Sequence, residues 1–436
     1  MVNKRIDKYA VYSKGFRGVP DGWHNLRSCN FLVGENSTGK SSFLQLIEIL
    51  DSREHLSLMD ISGIVEGLDS PSDLCSRLSG SQEITIGFLA KEKEDKDSKI
   101  SKNFLGRLTT YKVVKGELSI EKLTLLSDTS LLRLKKTKTD IPHRFDAFLY
   151  FDFESHVQNA KRLEKIHFSS SRFKKTLDEP RETDGSTASW FEAMRTAITK
   201  GARRRALGFY QNYSPLNCLH YGPMRAKIRR LYHGSKNEFS SSGEHIAYIL
   251  KDALEQNTGL RESIEEFGKD SGLFDRISIS SVQTKIKDKP FALQIEKAGS
   301  IFYVDELGYG LGQIIPIISD IFFTSGNNGF SIQQPELHLH PKAQAALGKV
   351  FAEASHLGAV LVVETHSDFI IDRFRMSFKD TDGDNRAQIM YFEKSPAGKN
   401  QAFEIEILRD GTLGEVPEGF RSFFLNESLE KLEVLL

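Results

Sequence analysis

The chain has 436 residues, enough for one large α/β domain with insertions or for two modest domains, each with a substantial core. Lys+Arg and Asp+Glu both number 59, a formal net charge of zero, which excludes a molecule-wide basic field for nucleic acid or membrane surfaces and leaves only a local patch for any DNA contact. The three cysteines, Cys29, Cys75 and Cys218, form no Cys-x-x-Cys pair, which disfavours a zinc site or a disulfide scaffold.

The first residues contain no apolar stretch of the signal-peptide kind, and no run approaches the ~18 apolar residues of a membrane span, so a soluble cytoplasmic protein is expected. Ile6–Val11 predicts a first strand. Gly18, Pro20 and Gly22 then punctuate a turn-rich connection to an apolar strand, Phe31–Val33. Next comes Gly34, four spacers, Gly39, Lys40 and Ser41, followed by a helix over Phe43–Leu50 with Leu44, Ile47 and Leu50 on one face. Strand, glycine-rich loop and helix in that order make a P-loop. Its glycines let backbone N–H groups turn inward on phosphates at a helix N-terminus; Lys40 reaches the β/γ-phosphates, and the Ser41 hydroxyl takes one Mg²⁺ position. The expected ATP-binding set is therefore Gly34, Glu35, Asn36, Ser37, Thr38, Gly39, Lys40, Ser41 and Ser42.

Strands are predicted at Glu83–Leu89, Leu108–Val114, Leu118–Leu125 and Ala147–Phe153, an antiparallel sheet beside the nucleotide lobe. The charged run Lys91–Lys102 reads as a flexible loop within it. Residues 154–215 turn helical and read as an insertion, with basic clusters at Arg172–Lys175 and Arg203–Arg205. Such clusters ordinarily form a solvated helix face; Arg203–Arg205 with Lys227, Arg229 and Arg230 is the expected place for any DNA strand. Cys218–Tyr221 predicts a short strand, His245–Leu254 a helix, and Ile277–Val282 and Phe291–Glu296 further strands.

Three later segments end in polar groups. Gly308, Gly310 and Gly312 stand just ahead of an apolar helix. Gly329–Ile332 is a strand ending in Gln333-Gln334-Pro335-Glu336, with Pro341 opening a helix over Lys342–Leu357. Ala359–Val363 is a strand ending in Glu364-Thr365-His366. Ligands of parallel α/β sheets bind at the carboxyl ends of strands, so these ends and the P-loop are expected to converge on one nucleotide. His338 and His340 lack a third ligand nearby, so packing or capping is favoured over a metal.

The ordered set GENSTGKSS, DELGYGLGQ, QQPELHLHP and VVETHSD resembles the ABC-type ATPases of the RecF/SMC-like and overcoming-lysogenisation-defect groups. The likeness extends to HYGPMR (His220–Arg225), Gly243-Glu244 and Asp410–Phe420. Within those groups it is most similar to compact ATPases of bacterial anti-phage systems, the Septu-type PtuA group above all. The resemblance implies a single ABC-type ATPase head over residues 1–436, an α/β P-loop NTPase fold with an antiparallel β-subdomain and the helical insertion. It implies dimers or higher homo-oligomers that sandwich Mg·ATP between the P-loop of one copy and the signature segment of another, here Gly308, Gly310 and Gln313. It further implies that Gln333 stands at the Mg²⁺-positioning place beside Ser41. Gln334 and Glu336 cover the catalytic-glutamate region, and His366 is the switch histidine. Two glutamines where acids are usual imply a slow ATPase. With about seventy residues after His366, a nuclease in cis is not expected. The implied function is ATP-dependent control of a separate HNH or TOPRIM effector nuclease in an anti-phage complex. The alternative is a RecF-like DNA repair or chromosome-maintenance ATPase.

Overall fold

The computed structural model describes residues 6–52, 55, 61, 70–77, 80–92, 104–127, 130–135, 216–225, 229–234, 238–281, 290–324, 328–378 and 386–420. The expected strand Ala147–Phe153, the helical insertion, both basic clusters within it and Lys227 lie outside the described residues. The chain divides into two compact units that interleave along the sequence: Met1–Leu26, Glu35–Asn217 and Lys394–Gln401 form one, and Arg27–Gly34, Cys218–Glu393 and Ala402–Leu436 the other.

The first unit is built on an antiparallel six-stranded sheet in the order β2-β1-β4-β5-β6-β7: β1 (Ile6–Lys14), β2 (Gly22–Leu26), β4 (Glu83–Glu92), β5 (Phe104–Val114), β6 (Glu117–Ser127) and β7 (Ser130–Lys135). The run expected to leave the sheet at Lys91 stays in it for two residues, since Lys91 lies opposite Phe104 and Glu92 closes β4. Ile84, Ile86 and Phe88 alternate along β4 and are buried, the period-2 pattern of a strand with one face in a core. Helix α1 (Lys40–Asp51) belongs to this unit. It buries Phe43, Leu46, Ile47, Ile49 and Leu50, and it stops where Ser52 turns extended with its N–H on the Ile49 carbonyl.

The second unit centres on a six-stranded sheet ordered β15-β14-β3-β13-β12-β8. These are β3 (Cys29–Gly34), β8 (Cys218–Tyr221), β12 (Gly329–Gln333), β13 (Val360–Glu364), β14 (Ala387–Lys394) and β15 (Asn400–Ile407). The pairs from β14 through β8 are parallel. Their strands read as continuous apolar runs because both faces are covered, and all six residues of β3 are buried. A three-stranded antiparallel sheet, β9 (Arg276–Ser281), β10 (Phe291–Lys297) and β11 (Ser300–Tyr303), completes the β-structure.

Helices of this unit are α2 (Ile246–Gln256), α3 (Thr258–Ser271), α4 (Tyr309–Thr324), α5 (Pro341–His356) and α6 (Asp368–Phe378). Helix α5 opens as predicted, with Pro341 in its first turn and His340 as N-cap accepting the Lys342 N–H. Helix α4 begins earlier than the glycine spacing implied: Tyr309 is already helical, so only Gly308 precedes it and Gly310 and Gly312 sit in its first turn.

Candidate functional site

The P-loop follows the carboxyl end of β3 and leads into α1. Gly34 has φ 134° and Gly39 φ 107°, both in the region that glycine alone visits easily. Space demands glycine as well. A Cβ on Gly34 would lie 1.9 Å from the Phe392 carbonyl oxygen, and one on Gly39 would lie 2.2 Å from that of Gly18. The Gly18 carbonyl is held by the Asn400 side-chain amide at 2.7 Å, and its neighbour Arg17 donates to Gln45 Oε1 on α1 at 2.5 Å. Arg17, Gly18 and Asn400 thus brace the loop from outside the motif, and a motif search alone does not find them.

Inside the loop the Glu35 carbonyl accepts both the Lys40 ammonium at 2.6 Å and the Thr38 hydroxyl at 2.7 Å. Lys40 is buried, whereas Glu35, Asn36 and Ser37 are exposed. The N-terminus of α1 has no side-chain cap and no acidic residue in its first turn. Its positive dipole end, with no acidic side chain beside it, favours an anion. A glycine cradle that any Cβ would fill, an uncapped helix start and a buried lysine fit the phosphates of a nucleotide. The half-buried Ser41 fits one Mg²⁺ position, with Ser42 beside it.

In the second unit the strand ends come together as neighbours on one edge. Ile332 is in register with Tyr221, Gln333 with Glu364, and Glu364 with Leu32, so β8, β12, β13 and β3 end side by side. Gln334 then takes a left-handed turn (φ 44°) with its N–H on the Glu364 carbonyl at 2.8 Å. The Glu336 carboxylate accepts the His366 N–H at 2.7 Å and the Thr365 hydroxyl at 2.9 Å. It is spent on shaping the end of β13, and the His366 ring is left exposed. Gln333 offers a divalent ion an amide oxygen but no charge, a weaker ligand than the carboxylate usual for Mg²⁺.

The segment that the resemblance makes the signature is partly buried. Gly308 is exposed, but Gly310 is buried, and a Cβ there would stand 2.4 Å from the His338 carbonyl oxygen. Gln313 is buried too, and its side chain holds the Arg225 backbone, accepting the N–H at 3.1 Å and donating to the carbonyl at 3.3 Å. Both contacts hold the start of α4 in place. Of the basic group expected to face DNA, Arg229 pairs with Glu244 at 3.5 Å and Arg230 with Glu306 at 3.2 Å.

A P-loop that follows a strand of a largely parallel sheet in sequence and opens a helix defines an α/β ATPase domain of the P-loop type. The chain belongs to the family described as "AAA domain, putative AbiEii toxin, Type IV TA system", whose model matches residues 29–372. No curated protein matches the sequence. Among solved structures the chain is similar to a crystal structure of the Smc head bound to the C-winged helix domain of ScpA, at 11% identity and TM-score 0.45, covering 92% of this chain and 98% of that one. It is also similar to a Pyrococcus furiosus Smc head domain with an extended coiled coil bound to the C-terminal domain of ScpA (10%, TM-score 0.42, 99% of each chain). An SMC head domain from Thermotoga maritima is similar at 11% and TM-score 0.40, with 92% of this chain and 100% of that one covered. At these scores the likeness bears no argument. Among the described residues no helix is long and apolar enough to cross a membrane.

Proposed function

We propose that the chain binds Mg·ATP through Gly34–Ser42 and hydrolyses it slowly, acting as a nucleotide-dependent regulator more than as a turnover enzyme. The observation that carries the reading is the uncapped, acid-free start of α1 behind a loop that only glycine can form. In the chain's own chemistry, the loop N–H groups and Lys40 would hold phosphate oxygens, and Ser41 would hold the metal, for which the resemblance also assigns Gln333. His366 contacts the terminal phosphate, and Gln334 orients the attacking water without being able to take its proton. The bound metal would supply charge neutralisation on the phosphates.

In the same proposal copies associate across ATP in the cytoplasm, with the Gly308–Gln313 segment of one meeting the nucleotide of another. The assembly controls a separate HNH or TOPRIM nuclease in an anti-phage complex of Septu type. RecF-like work on DNA is the second reading; it is favoured only if the basic stretch from Arg203 to Arg230 binds DNA. Calorimetry with ATP and ADP tests the first step. Copurification and native mass measurement test the rest: a nuclease subunit and ATP-dependent oligomers are expected. A monomer indifferent to ATP would overturn the assembly model.

A further inference from the structure

The end of β8 carries a side chain that the nucleotide motifs leave unused. Arg225, four residues past Tyr221, is 3% exposed. Its Nη2 donates to the Gln333 carbonyl at 2.9 Å, where β12 ends. Its Nε and Nη1 are buried without a hydrogen-bond partner. Burial pulls its pKa down to about 10, against the upward pull of Tyr221 and Glu336. A guanidinium so deep with two donating nitrogens unspent is a costly arrangement, retained where a cation is required. Arg225 also stands between two structures that a nucleotide would separately touch. Its backbone is clamped on both sides by Gln313 of α4. Its guanidinium holds the end of β12 and is attracted to Glu336, which in turn fixes the His366 N–H.

We propose that Arg225 is a positioning residue that ties the first turn of α4 to the carboxyl ends of β12 and β13, passing the phosphate state of a bound nucleotide to residues 308–313. The inference rests on the ATP-binding reading above. A shift of the β12 end moves the Gln333 carbonyl, and the guanidinium bonded to it must follow or lose its one carbonyl contact. Either response is felt at Gln313, because close packing around Gly310 leaves that turn little slack. This is coupling through a contiguous chain of contacts, and it needs a two-state readout.

The readout is backbone hydrogen exchange over residues 308–313 in the full chain, with Mg·ATP and with Mg·ADP, alongside calorimetry of both nucleotides. The wild type is expected to exchange more slowly there with ATP. Arg225→Met should shrink the ATP-against-ADP difference by about fivefold or more, the low end of ordinary coupling. Arg225→Lys should lie between the two, since an ammonium reaches the carbonyl but lacks the planar fork. A merely structural role would speed exchange equally with either nucleotide and leave the difference intact, an outcome that overturns the proposal. So does ATP binding by the wild type with no difference at 308–313, a result that leaves the nucleotide reading standing. No ATP binding at all sinks that reading first. If Arg225→Met fails to fold, Gln313→Leu decides: loss of the difference supports the coupling and its persistence refutes it.

Discussion

The Glu336 carboxylate accepts the main-chain N–H of His366 through Oε1 at 2.7 Å while its Oε2 accepts the Thr365 hydroxyl at 2.9 Å. One side chain thus sets the turn that presents the histidine. Glu336→Ala strands both donors. The expected loss is about 1–3 kcal/mol of stability, the usual penalty for unsatisfied polar groups, with the lower figure favoured because the site is half-buried. Glu336→Gln keeps an accepting oxygen and should lose less. Urea midpoints at constant m check the order; equal midpoints for all three proteins would show the contacts to be idle.

Lys40→Ala removes the ammonium from a loop that has no other cation. A charge-assisted hydrogen bond is worth ~1.5–3 kcal/mol, so ATP affinity should fall by about ten- to 150-fold. Calorimetry measures it directly. Undiminished affinity would remove the P-loop from the binding site.

Such local machinery was legible because P-loop chemistry is contiguous. Strand β8 was readable to the residue from its apolar run, and α5 from Pro341 and Gly358. Helix α3 was missed although its signals are present: Asn257 caps the Leu260 N–H, Leu260, Ile264 and Phe267 form the buried stripe, and Gly272 ends it at φ 72°. Its many charges hid the stripe. Nothing local could reveal the Asn400 bond to Gly18, spanning 382 positions, or that the Gln313 side chain would bond the Arg225 backbone. Those facts belong to tertiary packing, which sequence periodicity does not encode.

Gly34→Ala should unfold or strongly destabilise the protein. The new methyl meets backbone at 1.9 Å, and φ 134° is itself strained for alanine. More than ~1 kcal/mol is expected from the backbone conformation alone. Thermal unfolding tests it, and a midpoint unchanged from wild type would contradict the close approach to Phe392.

Stability should also fall in mild acid. His55 is fully buried against the Tyr111 hydroxyl, and burial, aided by the charge of Arg107, holds its pKa well below the usual 6.5. A depressed folded pKa means that the unfolded chain binds the proton first. The histidine's contribution is therefore complete above pH 6.5 and lost as pH falls towards the folded pKa. One proton gives a slope of about 1.4 kcal/mol per pH unit in that window. Denaturant titrations from pH 7.5 to 5 should show it, and His55→Gln should flatten it; an identical slope in the variant would assign the acid sensitivity elsewhere.

Gln333 ends β12 and Gln334 follows in a left-handed conformation, and the two places at which the resemblance expects acids carry amides. An amide keeps size and hydrogen bonding but cannot accept a proton, and loss of general-base help is typically worth ~10²–10⁴ in rate. The nearby acids are expected not to replace it. Glu336 is committed to the β13 turn, and Glu364 is buried in the strand opposite Gln333. The wild type should therefore turn over below ~1 s⁻¹, under the ordinary enzyme range. Gln333→Asp combined with Gln334→Glu should raise the rate by restoring metal charge and base together, whereas Gln333→Asp alone should tighten Mg²⁺ dependence with little gain in rate. Steady-state assays of both variants separate the two contributions, and a fast wild type freed of contaminating ATPase would refute the assignment of either glutamine.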